Sequence, residues 1–119
     1  MSEKTLHKSV CDYLRYQYPL VLFNTDLSGS MKLTIGQAKA LKSLRSNRGW
    51  PDIFIAEPRG GFAGMFLELK VEGRIPNTPH VKEQREMIEK LNKKGYFAFM
   101  ASGFDQAKKV IDEYLNLPL

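Results

Sequence analysis

With 119 residues, 43% of them hydrophobic and 26% charged, the chain has apolar material for one core and is short for two. One cysteine, Cys11, excludes an internal disulfide and a cysteine-based zinc site, and no apolar run approaches the roughly 18 residues of a membrane span. The net charge of +5 suits a nucleic-acid partner without requiring one. The expectation is a single domain over 1–119, cytoplasmic, with no membrane association and no small-molecule cofactor. The polar start Met1-Ser2-Glu3-Lys4 is no signal peptide.

Residues 3–17 have helical periodicity, with Leu6, Val10 and Leu14 on one stripe, Ser2 as N-cap and Pro19 beyond the end. The apolar run 20–23 predicts a short strand, and 24–34, with Gly29, two serines and an asparagine, predicts a loop. Thr34 and Gln37 have capping-box spacing for a helix reaching about Arg45, with a thin apolar stripe of Ala38, Leu41 and Leu44. Residues 52–57 and 62–71 are short, β-branched and aromatic, and predict central strands. Pro58-Arg59-Gly60-Gly61 joins them as an antiparallel pair. After a loop over 72–78, Thr78 caps a helix with Pro79 in its first position, running to about Lys94 and closed by Gly95. Residues 96–101 predict another buried strand. A last helix begins near Ser102 and Asp105, with Phe104, Ala107, Ile111 and Tyr114 on one face. The order is α-β-(α)-β-β-α-β-α, an α/β fold with a mixed sheet flanked by helices.

Strand alternation puts Glu68 and Lys70 on one face and Leu67 and Leu69 on the other. Asp52 opens the neighbouring strand. Two carboxylates and a lysine in the middle of a small sheet need partners, and a divalent cation next to the lysine would supply one. Mg²⁺ or Mn²⁺ takes hard oxygen ligands and commonly only one or two carboxylates. Asp52 and Glu68 would be those ligands, with the Leu69 carbonyl as a third if the strand twists or bulges there. A lysine is ordinarily too basic to act as a base at neutral pH, so Lys70 is expected to orient water or stabilise phosphate charge.

The spacing Pro51-Asp52 … Glu68-Leu69-Lys70 is similar to the PD-(D/E)XK nuclease signature, itself short and with a variable gap. The match is broader. Arg48-Gly49-Trp50-Pro51-Asp52, the Glu-Leu-Lys strand, Gln84 near a helix start, Lys94-Gly95-Tyr96 entering a strand and the N-terminal Ser2-Glu3 resemble the virus-type replication-repair nuclease domain, VRR-NUC. The resemblance covers nearly the whole chain and suggests a stand-alone type such as phages and bacteria carry. It implies a restriction-endonuclease-like core, metal binding by Asp52 and Glu68, and a catalytic set completed by Lys70. Gln84 would order a water or Lys70, and Glu3 would reach the metal through water. The departure from the family pattern is the basic insert at about 24–48.

That insert holds Lys32, Lys39, Lys42, Arg45 and Arg48 from 32 to 48 and no acidic residue. It is expected to contact DNA, although a solvated surface helix would look the same. Leu27, Met31, Leu33 and Ile35 supply apolar material for a homodimer. The expected activity is a metal-dependent DNA endonuclease acting on branched DNA in repair, in the manner of a Holliday-junction resolvase. The alternatives are a flap or single-strand-junction nuclease, or a non-catalytic nucleic-acid-binding module. His7 and His80, far apart and without ligand spacing, read as surface or capping residues. Cys11 reads as core. Trp50 reads as packing at the strand mouth, with base stacking as its other use. Glu57 points away from the Asp52 face.

Overall fold

The computed structural model describes residues 1–26 and 31–119. Leu27 therefore lies outside the described residues. The elements are α1 (Glu3–Gln17), β1 (Phe23–Thr25), α2 (Ile35–Leu44), β2 (Ile53–Ile55), β3 (Met65–Lys70), α3 (Pro79–Lys93), β4 (Phe97–Ser102) and α4 (Phe104–Leu115). The strands form one mixed sheet in the order β1-β2-β3-β4. β1 and β3 are each antiparallel to β2, and β4 is parallel to β3, as the α3 crossover requires.

Caps set the helix starts. Ser2 accepts from Thr5 N–H, Thr78 from Val81 N–H, and Thr34 and Gln37 exchange both hydrogen bonds of a capping box. Gly95, at φ 93°, turns the chain out of α3 in the left-handed conformation that favours glycine. α4 starts differently from expectation: Ser102 is the last residue of β4, and Gly103 stands at the N-cap without a side-chain cap.

One face of the sheet carries the main core. Leu6, Val10 and Leu14 of α1 and Ile111 and Tyr114 of α4 close over Ile53, Ile55, Met65, Leu67 and Leu69. Each buried side chain of this size contributes about 1.5–3 kcal/mol. The other face packs Met87 and Leu91 of α3 against Ala98, with Trp50, Phe66 and Tyr96 beside them. Strand alternation thus sends Leu67 and Leu69 into the main core and Phe66 and Glu68 toward α3.

Three expectations shift. The first strand lies at Phe23–Thr25 rather than 20–23, because the chain is still turning after α1: Val21 N–H donates to the Tyr18 carbonyl, and Leu20 and Leu22 are exposed. The strand therefore takes in residues assigned to the loop. The central strands are shorter than 52–57 and 62–71. Finally, the stripe on α2 does not form a packed face. No residue of α2 is buried, and none comes within 8 Å, Cα to Cα, of another described helix or strand.

Candidate active site

The site begins where β2 stops. Pairing between β2 and β3 ends at Ile53 opposite Leu67, while β3 continues beside β4 as far as Lys70 opposite Ser102. Two residues before Ile53 stands Pro51, which has no N–H to extend a ladder. The β2-facing edge of β3 is left open there, and Asp52 occupies it. Its Oδ2 accepts the Leu69 N–H at 2.8 Å, which fixes the carboxylate against the strand. The N–H and C=O of one strand residue point to the same side, so the Leu69 carbonyl lies along this same edge.

Glu68 faces α3 and is 2% exposed. Gln84 Nε2 donates to Glu68 Oε1 at 2.5 Å and lies 3.3 Å from His80 Nε2, one turn earlier on α3. Lys70 Nζ is 3.8 Å from both Glu68 Oε1 and Glu3 Oε1, so its ammonium links α1 to the sheet. Burial pushes the Glu68 carboxyl up to about 9; the neighbouring Asp52 carboxylate adds to the rise and Lys70 opposes it. Without a further cation, Glu68 therefore holds a proton at neutral pH.

A cavity of about 160 Å³ gathers Glu3, His7, Asp52, Glu68, Leu69, Lys70, His80 and Gln84. The structure thus brings together Asp52, Glu68, Leu69, Lys70, Gln84 and Glu3 from four places in the chain. It also adds His7, which is buried although sequence reasoning placed it at the surface, and His80, which is exposed as expected but lines the site. Each stands four residues from a site side chain on the same helix, Glu3–His7 on α1 and His80–Gln84 on α3, and that spacing was the available signal. His7 is 4% exposed.

The donor chemistry fits a hard divalent ion. Glu68 Oε2 and Gln84 Oε1 are buried with no hydrogen-bond partner, two oxygens that a cation or its hydration could satisfy. Among the described residues no group of three or more His, Cys, Asp or Glu side chains is placed as a ligand set. The available donors are two carboxylates and a backbone carbonyl, the sparse protein ligation that Mg²⁺ tolerates. The loop that leads to Asp52 depends on Gly49 as well as on Pro51. Gly49 has φ 82°, and a Cβ there would come within 2.8 Å of the Glu83 carbonyl oxygen. Only glycine lets this loop lie directly on α3.

The basic residues divide. Lys32 and Lys39 are exposed. Lys42, Arg45 and Arg48 line a cavity of about 510 Å³ between α2 and the start of α3, which also includes His80. Arg45 is ion-paired with Asp26, and Arg48 stands 4.0 Å from Glu83. A path lined by cationic side chains thus leads from α2 to the rim of the carboxylate cluster.

No protein-family model matches the chain, and no curated protein matches it. Solved structures do. A structure described as a VRR_NUC domain protein is similar with a TM-score of 0.76 and 26% identity, over 99% of this chain and 91% of that one. Another, described as a VRR_NUC domain, has a TM-score of 0.53 and 25% identity, over 91% of this chain and 96% of that one. Together with the mixed sheet and the helix order, these matches over nearly the whole chain support a VRR-NUC domain, and with it a nuclease family.

Proposed function

We propose that the protein is a metal-dependent DNA endonuclease that hydrolyses phosphodiester bonds in branched DNA. The observation that carries this reading is the buried Glu68 carboxyl, set beside Asp52 at the open edge of β3 with one oxygen unpartnered. A structural protein gains nothing from two carboxylates placed so. Asp52, Glu68 and the Leu69 carbonyl would hold Mg²⁺ or Mn²⁺, with Glu3 reaching it through water. The ion would supply Lewis acidity to the scissile phosphate and favour the ionised form of Glu68.

The chain's own residues do the rest. Lys70, held between Glu3 and Glu68, presents an ammonium to the phosphate and orients the attacking water. Gln84 holds the Glu68 carboxyl through Nε2 and fixes its rotamer. Lys32, Lys39, Lys42, Arg45 and Arg48 attract the backbone phosphates toward the cluster.

The same reading includes a homodimer, which would present two sites to the two strands of a four-way junction. Ile35 is 79% exposed and Leu44 84%, Met31 and Leu33 are also exposed, and no Cα of α2 lies within 8 Å of another described helix or strand. The test is cleavage of matched duplex, flap, splayed-arm and four-way-junction DNA with Mg²⁺, with Mn²⁺ and with EDTA, beside sedimentation at micromolar concentration. Symmetric cutting of the junction by a dimer is expected. Preferential flap cutting by a monomer would replace the junction assignment, and cutting in excess EDTA would overturn the metal assignment.

A further inference from the structure

The sheet face that carries Glu68 is only half covered. α3 lies over β3 and β4, and among the described residues beside β1 and β2 on that side stand only the end of α2 at Leu44 and the residues that follow it, Arg45 and Ser46. The gap holds a cavity of about 360 Å³ with an aromatic floor of Trp50, Phe54 and Phe66. The ring centroids of Phe54 and Phe66 are 4.6 Å apart, and those of Trp50 and Phe66 are 6.0 Å apart. All three side chains are half-buried, so each keeps accessible surface. The rim is polar: Asn24 offers an amide, and Asp26 is neutralised by its ion pair with Arg45. Asp52 lines both this cavity and the one that holds Glu68 and Lys70.

A ligand with a flat apolar face and a polar edge matches this lining, and a nucleobase is such a ligand. A strand that brings a phosphate to Asp52 carries a base within reach of the adjoining aromatic floor. A base inside a duplex already has both faces stacked on its neighbours, so only an unpaired nucleotide can present a free face. We propose that the cavity floored by Trp50, Phe54 and Phe66 is a stacking subsite for an unpaired nucleobase next to the scissile phosphate. The subsite would select DNA whose strands are parted at the cut. This inference rests on the nuclease reading and adds a substrate requirement to it, which a four-way junction meets only where base pairs open at the branch point.

Trp50 is the single tryptophan of the chain, so its fluorescence reports the site directly. The full-length protein would be titrated in EDTA with splayed-arm DNA, and with the same DNA carrying abasic residues at the unpaired positions beside the branch. Abasic residues keep the phosphates and remove the stacking partner. Quenching by the first DNA and little by the second is expected, with affinity lower for the abasic DNA by about five-fold to a hundred-fold. Phe54→Leu should weaken binding of the base-containing DNA and leave the abasic DNA unchanged, with thermal melting as the check on folding. If that variant fails to fold, the wild-type comparison decides alone. Equal quenching and equal affinity for the two DNAs overturns the subsite. Quenching that follows protein concentration without DNA overturns it as well, by assigning the cavity to a second copy of the chain. Cleavage of both DNAs at equal rates in Mg²⁺ would leave the nuclease reading standing and remove only the subsite. Neither binding nor cleavage of either DNA would remove both.

Discussion

Replacing Glu68 by Gln should stabilise the metal-free protein, and by more as the pH rises. The Glu68 carboxyl titrates near 4.5 in the unfolded chain, and burial with Asp52 beside it raises that to about 9 in the fold. Below the lower value both states carry the proton and the site has no effect on folding. Between the two values the folded state holds a proton that the unfolded state has released. Stability then falls with pH by up to about 1.4 kcal/mol per unit. From about pH 5 to about pH 8 that limit is roughly 4 kcal/mol, and Lys70 and water entering the cavity soften it toward about 2 kcal/mol. The substituted amide has nearly the same shape as the carboxyl, still pairs with Gln84 and cannot ionise. Urea denaturation of both proteins across this range in EDTA should give stabilities that agree at low pH and diverge in favour of E68Q as pH rises. Saturating Mg²⁺ should flatten the wild-type slope, because the cation favours the carboxylate, and should change E68Q little. Parallel pH profiles for the two proteins in EDTA would refute the assignment of Glu68 as a desolvated, protonated carboxyl.

Lys70→Ala should lower kcat on branched DNA by at least about a hundred-fold with binding in EDTA retained, since it removes charge aimed at the phosphate; full activity would exclude Lys70 from the chemistry. Replacing Lys32, Lys39 and Lys42 by Ala should flatten the slope of log K against log salt by about 2–3, near 0.9 for each lost phosphate contact. Arg45 is best left in place in that experiment, because it already serves Asp26. Asp112→Ala should cost about 2–3 kcal/mol in denaturant melts, because the Tyr13 and Tyr18 hydroxyls, at 2.5 and 2.7 Å, lose a shared charged acceptor that ties α1 to α4. Burial alone would raise the Asp112 carboxyl, but hydrogen bonds from Tyr13, Tyr18 and Lys108 outweigh it and hold it below the usual range. Its contribution is therefore present at neutral pH and lost in acid.

Local chemistry made much of the fold legible. Ser2, Thr34 and Thr78 announce helix starts because a side-chain oxygen there meets a free N–H within three residues, a relation fixed by sequence distance. Gly95 announces a helix end for a similarly local reason. Alternation along Met65–Lys70 separates Leu67 and Leu69 from Glu68 without knowledge of the partners. What failed to show was decided at long range. The register of β1 depends on where the chain stops turning after α1, and β2 selects Phe23–Thr25 by pairing rather than by composition. The apolar residues of α2 suggest burial, yet none is buried and the helix backbone stands more than 8 Å from the other described helices and strands. His7 and His80 lie 73 residues apart (80 − 7) and line one cavity only because α1 and α3 both begin at the gap beside β3. The local sign of such company is the four-residue spacing from Glu3 and from Gln84, which has meaning only once those two residues are placed at the site.

The position of the site follows from a fault in the sheet. A fully paired ladder has no room for polar chemistry, since each backbone group already has its partner and each inward side chain is apolar. Pro51 interrupts β2 two residues before the ladder begins, and β3, still paired with β4, extends past it with one edge open. That edge offers an N–H to Asp52 and a carbonyl to a ligand, while the same extension carries Glu68 and Lys70 toward α3. The main core on the opposite face, from Leu6 to Tyr114, makes the strand rigid where its edge is unpaired. The local cost falls mainly on one group, the protonated Glu68, and that is the group whose ionisation a divalent ion would favour. Loss of β2 pairing and gain of an ion site are therefore one structural event. Extending the ladder by Pro51→Val would supply an N–H at the break, and the expected gain in stability would come with a displaced Asp52 and weaker Mg²⁺ binding. A variant that gained stability and bound Mg²⁺ as tightly as before would show that the open edge is incidental to the site.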